Sequence, residues 1–437
     1  MRIHRFLLPA LLAGAVLQPT GVQGAGYGIY EQGVAVLGMA GAGTASVHDP
    51  SAVFFNPAAM SWLSGAQIHA GGTALTTNTS FAGTNPYPGY GVTEQMRRQT
   101  FFPPTLYATR RYNDRWSMGV GINSPFGLGV DWQDPERFTG RYIVTRADLR
   151  AINGAVNWAY RVTPQLSLAA GGNILFAQVD LRRRVLVPSP GGGGGQVDVA
   201  SVRLHSDYDP GYGWNAAVSY APVPEWRLGA AYRGKIVVDT EGDAEFTQIP
   251  TGDPVFDAGV AATLPPDQGV STVLRFPAIW SAGIAWLPAG TWTVEGAVVF
   301  TEWSLFRDLP LRFKQTPAND ETIVEDYRDT FAFRFGAEHR LPAFTYRFGY
   351  YFEQAAAPAP SVTPLLPDAA RNGATVGLGL PLDAGKRWQL DLYDLALFVD
   401  RRGTEGRERD GFDGEYKSFI NAFGAGLTYR FQPPGEQ

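Results

Sequence analysis

The sequence lacks features that several protein classes require. Its 437 residues include no cysteine, which excludes disulfides and thiolate metal sites. Beyond the N-terminus there is no run of about 18 apolar residues, so membrane-spanning helices are not expected. The formal net charge is only −5, which gives no reason to expect a nucleic-acid partner. We expect neither a metal nor another cofactor.

What the sequence does contain is a repeated alternation of large apolar residues with small or charged ones. One face of the last such stretch carries Phe419, Asn421, Phe423, Ala425, Leu427, Tyr429 and Phe431. A period of two predicts β-strands. Without spanning helices, only strands closed into a barrel can cross a membrane, because an open edge leaves backbone groups unpaired in hydrocarbon. We therefore predict an all-β transmembrane fold, an antiparallel β-barrel with lipid outside and water inside.

The chain divides into four predicted segments. Residues 1–24 have a basic start, an apolar core and a small-residue cleavage site, as in a secretory signal peptide. Residues 25–65 are rich in Gly and Ala and do not alternate, which favours a compact N-terminal hatch that plugs the barrel. The transmembrane barrel is predicted over 66–431, followed by a periplasmic tail at 432–437. This order is typical of the outer membrane of a Gram-negative bacterium.

The alternating segments predict about fourteen strands, an even number as bacterial barrels require. They begin near Ala66, Thr100, Arg115, Gly140, Gln165, Gln196, Glu225, Gly269, Gly290, Glu325, Ala343, Arg371, Lys386 and Glu415. Tight turns, such as Asn113-Asp114, alternate with long connections, such as 81–99 and 355–370. This alternation indicates short periplasmic turns and long outer loops. The strands are longer than the roughly 9–11 residues that span a bilayer, so the wall is expected to project outward.

The third predicted strand is interrupted between residues 123 and 129. Pro125 follows Asn123 and has no N–H for the ladder, while Gly127 permits a bend. We predict a bulge or break that includes Phe126. One interpretation is a lateral opening in the wall. The alternative is a wall that bends only above the membrane, without functional consequence.

Several sequence blocks resemble the FadL family of outer-membrane transporters for long-chain fatty acids and related hydrophobic compounds. The blocks are Ala25-Gly26-Tyr27, 38–43, Asp49, Asn56-Pro57-Ala58, 123–128, 211–215, 276–280, Thr301-Glu302-Trp303-Ser304 and 326–329. In this order they cover nearly the whole predicted mature chain. The resemblance implies a fourteen-stranded barrel with an N-terminal hatch. It also implies passive transport, with substrate captured at an outer groove, held in a pocket inside the barrel and released sideways at a kink in the third strand.

Candidate hatch residues are Asp49, Asn56, Pro57 and Ala58. Asn-Pro favours turn initiation, since the residue before proline is excluded from the helical region. One interpretation is an ordinary turn. The other is a turn that shapes a plug which must rearrange.

Candidate substrate contacts come partly from chemistry and partly from the resemblance. An arginine fork matches the geometry of a carboxylate, and the resemblance implies basic pocket residues in the regions of Arg183 and Arg312. The alternative places both in solvent at the rim. Phe54, Phe55 and Trp303, together with Phe126 of the third strand, are candidate apolar contacts, and packing within the hatch or wall is the alternative.

The sequence favours a channel for hydrophobic compounds over other functions. Long-chain fatty acids are the first candidate substrate, and aromatic or alkane hydrocarbons are the alternative. The protein is not expected to be an enzyme, because an outer-membrane lipid hydrolase needs a Ser–His pair and His48, His69, His205 and His339 have no evident partner in the sequence. A general porin is the third class. We expect a monomer surrounded by outer-membrane lipid and lipopolysaccharide.

Overall fold

The computed structural model describes residues 26–190 and 195–431. The predicted signal peptide, the periplasmic tail and most of the glycine run at 191–195 lie outside the described residues. Within them, no helix is long and apolar enough to cross a membrane.

Strands dominate the described chain, and they are numbered here in chain order from β1 to β23. Fourteen of them form the barrel wall: β1 (Ala66–Gly83), β4 (Pro104–Arg111), β5 (Trp116–Asn123), β7 (Arg146–Arg161), β8 (Leu166–Pro188), β10 (Asp209–Val223), β11 (Trp226–Arg233), β14 (Ile279–Trp286), β15 (Trp292–Thr301), β18 (Thr330–Arg340), β19 (Thr345–Glu353), β20 (Arg371–Pro381), β21 (Trp388–Val399) and β23 (Gly414–Arg430).

Nine further strands extend or brace the wall. They are β2 (Thr93–Gln95), β3 (Gln99–Phe101), β6 (Gly127–Asp131), β9 (Gln196–Ser206), β12 (Ile236–Gln248), β13 (Gln268–Phe276), β16 (Asp308–Phe313), β17 (Glu321–Val324) and β22 (Arg402–Gly403).

The wall closes where its first strand meets its last. β1 and β23 pair antiparallel from Gln67 opposite Arg430 to Gly83 opposite Gly414. The other wall strands pair antiparallel with their neighbours in chain order. The predicted fourteen-stranded antiparallel barrel is thereby confirmed. Short turns and long loops lie at opposite ends of the barrel.

The predicted strand starts at Gly140, Gln196 and Gly269 are wrong in detail. The fourth wall strand begins at Arg146 instead of Gly140, because residues 138–145 form turns before the ladder starts. Gln196 begins β9, which pairs back onto β8, and the sixth wall strand starts only at Asp209. Gly269 lies in β13, which pairs with β12, and the eighth wall strand starts only at Ile279. Residues 196–206 and 268–276 form strands that pair outside the wall ladder, and alternation alone does not distinguish such a strand from a wall strand.

The outer surface of the barrel is apolar and carries aromatic residues near both ends. Exposed side chains along the strands include Ile68, Leu106, Val120, Ile122, Val156, Phe335, Val376 and Phe423. Near the short turns, Trp116 packs on Tyr160 at 4.7 Å and Trp388 on Tyr429 at 4.6 Å between ring centroids. Near the opposite end, Tyr232 packs on Trp280 at 4.3 Å. Two aromatic girdles around an apolar band are the surface that a lipid bilayer requires.

Residues 26–65, the hatch segment, fill the inside of the barrel and are almost entirely buried. The segment contains α1 (Val34–Leu37), α2 (Ala52–Phe55) and a 3₁₀ helix (Pro57–Trp62). The remaining helices lie between strands: α3 (Pro254–Thr263) and the 3₁₀ helices Pro288–Gly290, Trp303–Leu305, Pro317–Asn319 and Ala359–Ser361.

Polar wall residues hold the hatch segment through its backbone. The carboxylate of Glu295 on β15 accepts hydrogen bonds from the Ala45 and Ser46 amides at 2.9 and 2.8 Å. The Arg334 guanidinium on β18 donates to the Ala40 carbonyl at 2.9 Å. Glu295 and Arg334 therefore find partners in the hatch backbone, whereas the buried Arg347 pairs with Glu338 and Asp391 of the wall at 2.7 Å each.

Candidate functional site

An apolar cavity lies inside the long-loop half of the barrel, above the hatch segment. This inner cavity has a volume of about 90 Å³. Its apolar lining consists of Leu128, Leu149, Val179, Leu181, Leu204, Val270, Leu274, Phe276, Phe306, Leu309, Leu311, Ile323, Leu365 and Leu366. Apart from Phe306, these residues come from the wall strands β7 and β8, from the bracing strands β6, β9, β13, β16 and β17, and from the loop between β19 and β20. The pocket therefore exists only when these distant parts of the chain are brought together.

The charged groups that line the inner cavity are acidic. Among the described residues, no lysine or arginine lines it. The Asp148 carboxylate is paired with the Arg146 guanidinium at 2.8 Å. Glu325 is almost fully buried, and burial raises the pKa of its carboxyl group to about 8. The cavity therefore suits an uncharged ligand better than an anion.

Tyr27, near the start of the hatch segment, separates the inner cavity from a second one. Its ring packs on Trp303, Phe306 and Phe126 at centroid distances of 4.8, 5.2 and 6.1 Å. Its hydroxyl donates to the Arg275 carbonyl at 3.0 Å. Tyr27 lines both cavities, as do Leu128, Asp148 and Leu149, so its side chain is one part of the partition between them.

The second cavity, here called the wall cavity, extends across the barrel wall and has a volume of about 430 Å³. On the inside it is lined by Leu395 and Leu397, which are 1% and 3% exposed. On the outside it is lined by Phe102 and Ile152, which are 72% and 40% exposed. The cavity thus connects the barrel interior with the lipid-facing surface.

The wall cavity lies where the ladder between the second and third wall strands is interrupted. β5 pairs with β4 only as far as Ile122 opposite Leu106. Beyond that point β3 pairs with β1 and β6 pairs with β7. Three residues of the third strand, 124–126, stand opposite two of β7, between Asn123 paired with Asn153 and Gly127 paired with Arg150. The predicted break at Pro125 is present, and its extra residue forms a bulge.

The hatch segment is hydrogen-bonded to this break. Gly28 pairs antiparallel with Phe126, the Ile29 amide donates to the Pro125 carbonyl at 2.8 Å, and the Gly127 amide donates to the Tyr27 carbonyl at 3.0 Å. The start of the hatch therefore acts as a short inner strand where the wall lacks a partner.

A single glutamine side chain strengthens this contact. The Gln32 side-chain amide donates to the Ser124 carbonyl at 2.7 Å and accepts from the Ser124 amide at 3.2 Å. Gln32 is fully buried, so neither group has water as a substitute partner.

The first residue of the hatch segment, Gly26, is tied to an outer loop through Asp368. Its carboxyl oxygens accept hydrogen bonds from the amides of Gly26, Ala356 and Ala357 at 2.9, 2.7 and 2.8 Å. Burial raises the pKa of this carboxyl group to about 7. The loop between β19 and β20 is thus linked directly to the residue before Tyr27.

The predicted hatch residues shape the lower part of the plug, away from both cavities. The Asn56 side chain accepts from the Ala58 amide at 3.0 Å and caps the 3₁₀ helix that starts at Pro57. It also donates to the Val218 carbonyl of β10 at 3.0 Å. Asp49 accepts from the Ser51 amide at 2.7 Å. A role in plug rearrangement stays a prediction, since these contacts describe only an anchored hatch.

The predicted apolar contacts fall in different places. Phe126 lines the wall cavity. Trp303 packs on Tyr27 and lines a 30 Å³ space beside it. Phe54 and Phe55 lie in the hatch core, where the Arg233 guanidinium stacks 3.9 Å from the centre of the Phe54 ring. Phe54 and Phe55 thus contact hatch and wall residues and lie outside the linings of the two cavities.

The two predicted head-group arginines are paired with acids. Arg183 forms a two-point ion pair with Glu321, at 2.6 and 3.2 Å. Arg312 lies 3.8 Å from Asp320 with its side chain 53% exposed. It belongs to β16, which the Trp303–Leu305 helix separates from the ninth wall strand, β15. Neither arginine lines the inner cavity, and their contact with substrate stays a prediction.

The histidines offer no hydrolase site in the described part of the chain. His69 Nδ1 lies 2.9 Å from the Thr428 hydroxyl and His339 Nδ1 lies 3.0 Å from the Tyr346 hydroxyl. His48 contacts the backbone carbonyl of Ser46 through Nδ1 and lies 3.6 Å from a Glu338 oxygen through Nε2. No serine hydroxyl of the described residues forms a hydrogen bond with a histidine ring. The geometry adds no support to the hydrolase alternative.

Sequence reasoning missed the residues that organise the two cavities: Tyr27, Gln32, Glu325 and Asp368. Tyr27 stood within one of the blocks that suggested the family, but nothing marked its ring as a barrier. The other three are single polar residues in unremarkable surroundings, and their importance depends on partners far away in the chain.

Comparison with known proteins agrees with this architecture. Residues 15–431 match the family described as outer membrane protein transport protein (OMPP1/FadL/TodX). The chain is 23% identical over 449 residues to a long-chain fatty acid transport protein of Escherichia coli O6:H1, covering 98% of this chain and 99% of that protein. It is 27% identical over 436 residues to a 47 kDa outer membrane protein of Pasteurella multocida, covering 96% and 98%.

Solved structures show the same fold. A Pseudomonas aeruginosa FadL homologue superposes with a TM-score of 0.81 at 22% identity, covering 93% of this chain and 100% of that one. The Pseudomonas putida toluene transporter TodX superposes with a TM-score of 0.72 at 17% identity, covering 94% and 100%.

Proposed function

The chain belongs to the OMPP1/FadL/TodX family of outer-membrane transport proteins, and we propose that it is a passive channel for the uptake of hydrophobic compounds. In this proposal the compound enters the inner cavity from the outer loops, passes Tyr27 and leaves through the wall cavity into the membrane. No cofactor takes part, because movement follows the concentration gradient.

The observation that carries the proposal is the wall cavity beside the third strand. It is lined by residues of the barrel interior and of the lipid-facing surface, so an apolar molecule can leave without crossing water. The hatch segment blocks the axial path below it. Lateral release therefore avoids both the aqueous lumen and any unfolding of the hatch.

Opening this route requires a small movement at the start of the hatch. Tyr27 has to leave its place between Phe126 and Trp303, and the segment that carries it is tied to the kink by Gly28 and to the outer loop by Asp368. We propose that a compound filling the inner cavity displaces the Tyr27 ring and so joins the two cavities.

For the substrate, the lining of the inner cavity favours compounds without a negative charge, such as aromatic or alkane hydrocarbons. Long-chain fatty acids are the second candidate, and the name of the Escherichia coli relative supports them. A fatty-acid carboxylate would need a cation, for which Arg183 and Arg312 remain the proposed partners, each after release from its acidic neighbour.

Uptake measurements test the channel itself. Expression in a bacterial host deleted for its own transporter is expected to restore uptake of labelled toluene or oleate. Tyr27→Trp fills the passage with a larger ring and is expected to reduce uptake. The matched control is Tyr112→Trp on the outer surface, which is expected to leave uptake unchanged. No gain of either compound above the empty host would contradict the proposal.

Head-group substitutions separate the two substrate classes. If Arg183 and Arg312 bind a carboxylate, replacing both by Ala lowers oleate uptake at least about tenfold, because each charge-assisted hydrogen bond contributes roughly 1.5–3 kcal/mol, and leaves toluene uptake unchanged. Arg401→Ala, an exposed arginine elsewhere on the outer loops, is the control. Equal losses for oleate and toluene would exclude the head-group role.

A further inference from the structure

Glu325 is a buried acid that faces an apolar cavity. It follows β17 in the outer loop, and its backbone amide donates to the Arg307 carbonyl at 2.8 Å. The side chain is 1% exposed and lines the inner cavity. Its Oε2 has no hydrogen-bond partner among the described residues. A buried polar atom without a partner is unfavourable, so this oxygen is available to a ligand.

The charged neighbours of Glu325 are occupied by other partners. The Arg409 guanidinium, the cation whose field reaches Glu325 most strongly, lies 2.6 Å from an Asp326 oxygen and 2.6 Å from the Ser361 hydroxyl. Asp368 is saturated by three backbone amides, and Asp410 adds a further negative charge. No cation is therefore left to stabilise a Glu325 carboxylate.

Other elements bring further unpartnered polar atoms to the same cavity. Within the described residues, the hydroxyl oxygens of Thr240 on β12 and Thr272 on β13 have no hydrogen-bond partner, and neither does His205 Nδ1 on β9, which lies 4.0 Å from a Glu245 oxygen. All three residues line the inner cavity beside its aliphatic walls. The remaining titratable lining groups are Asp148, which is ion-paired, and Tyr27, whose hydroxyl is already bonded. The cavity thus combines apolar walls with a small set of polar atoms that have no protein partner.

We propose that the carboxyl group of Glu325 is the polar recognition group of the inner cavity and donates a hydrogen bond to an uncharged carbonyl oxygen of the ligand. The preferred compounds are then hydrophobic esters, ketones and undissociated acids, and carboxylate anions are excluded. The inference rests on the proposed function and specifies its substrate class.

The physical basis is the protonation state of the acid. With no cation nearby, burial favours the neutral carboxylic acid up to a pH of about 8. A neutral acid has one O–H to donate, and an ester or ketone oxygen can only accept. A carboxylate ligand would meet the Asp148 and Asp410 charges in a site of low dielectric, where like charges repel strongly.

Ligand binding to the purified full-length mature protein in amphipol tests the inference at pH 7. Calorimetry compares methyl decanoate, undecane and decanoate on the wild type, Glu325→Gln, Glu325→Leu and the exposed control Glu136→Leu. The readout is the ratio of the Kd for the ester to the Kd for the alkane, which cancels general hydrophobicity.

Loss of one hydrogen bond in Glu325→Leu is expected to raise this ratio roughly five- to tenfold. Glu325→Gln, which keeps an N–H donor, and Glu136→Leu leave it near the wild-type value. An unchanged ratio in Glu325→Leu overturns the inference, as does tighter binding of decanoate than of methyl decanoate by the wild type.

A pH series provides a second test that does not need the leucine variant to fold. Raising the pH from 6 to 9.5 ionises Glu325 and is expected to weaken ester binding to the wild type but not to Glu325→Gln. Parallel behaviour of the two proteins overturns the inference. Undecane uptake by whole cells distinguishes the two proposals. Undecane has no carbonyl oxygen for Glu325 to bind, so a failure of undecane to enter would contradict the channel function and not the role of Glu325.

Discussion

Gln32 is the side chain on which the contact between the hatch segment and the third strand depends. Both of its amide groups are used by the backbone of Ser124, at 2.7 and 3.2 Å. Asn123 continues the polar contact through the Tyr107 hydroxyl at 3.2 Å. A few buried amides thus replace the ladder that the wall lacks at its break.

Replacing Gln32 by Leu is expected to loosen the kink. It leaves the Ser124 carbonyl and amide without partners, at a cost of about 1–3 kcal/mol for each buried group. Hydrogen exchange measured by mass spectrometry should therefore become faster in peptides covering 123–131 and remain unchanged in those covering 52–62. Gln165→Leu, at an exposed turn, is the control. Equal protection in wild type and Gln32→Leu would show that Gln32 does not hold the kink.

Glu325 gives the stability of the protein a predictable pH dependence. Its pKa is raised to about 8 by burial, so its contribution to folding is fully present below the ordinary range of a glutamate and is lost as the pH rises through 8. Glu325→Gln is expected to match the wild type at pH 5 and to unfold at a higher temperature at pH 9.5. The folded fraction can be followed from the shift in gel mobility of the heated barrel.

The control for this pH effect is Glu136→Gln, an exposed glutamate. Asp368 and Glu408 also have a pKa raised by burial to about 7, but they titrate in both proteins, so the difference between wild type and Glu325→Gln reports Glu325 together with its interaction with Asp368. A difference that is the same at both pH values would contradict the burial of an unpaired acid.

At the scale of elements, the third wall strand carries one residue more than its partner. Residues 124–126 stand opposite two residues of β7, and the extra residue bends the chain away from β3. A bulge of this kind ends pairing on one side while the other side continues. The one extra residue of the third strand relative to β7 therefore sets the position of the wall cavity.

Deleting Pro125 is expected to close the wall cavity. It makes the two strands equal in length and removes the residue without an N–H, so the third strand can pair on both sides. Uptake of toluene or oleate should fall to the level of the empty host, while the heat-shifted gel mobility of the barrel is retained. Deletion of Gly195, in a long outer loop, is the matched control. Full uptake by the Pro125 deletion would contradict lateral release.

At the scale of the whole molecule, the barrel and the hatch segment depend on each other. The wall places charged side chains inside the barrel, and the hatch backbone supplies partners for two of them, Glu295 and Arg334. The hatch segment that these contacts hold fills the lumen. A barrel with an apolar outer surface and charged inner residues is therefore not necessarily an open pore.

Planar-bilayer recordings test this arrangement and the porin alternative together. The wild type is expected to show no large steady conductance. Glu295→Ala leaves the Ala45 and Ser46 amides without acceptors and is expected to allow conducting openings, because the hatch is no longer held on that side. Glu415→Ala, an exposed acid, is the control. Large steady conductance of the wild type would favour a general porin.

Local patterns were enough to predict the strands, their number and the break in the third one. A period of two and a proline between glycines can both be recognised within a few residues. The alternation extends along every strand because one face contacts lipid and the other faces the buried interior. The same locality explains the errors at Gln196 and Gly269, since a strand that pairs above the membrane alternates just as a wall strand does.

The cavities, and the hatch contacts beside them, depend on interactions between distant parts of the chain. Gly26 and Asp368 are 342 positions apart, and Gln32 and Ser124 are 92 apart. The inner cavity takes its lining from strands and loops throughout the barrel. No pattern within a short window contains such pairs, because closure of the barrel alone brings them together. Periodicity therefore determined the wall, and tertiary closure decided that Tyr27 lies between the cavities and that Glu325 lines one of them.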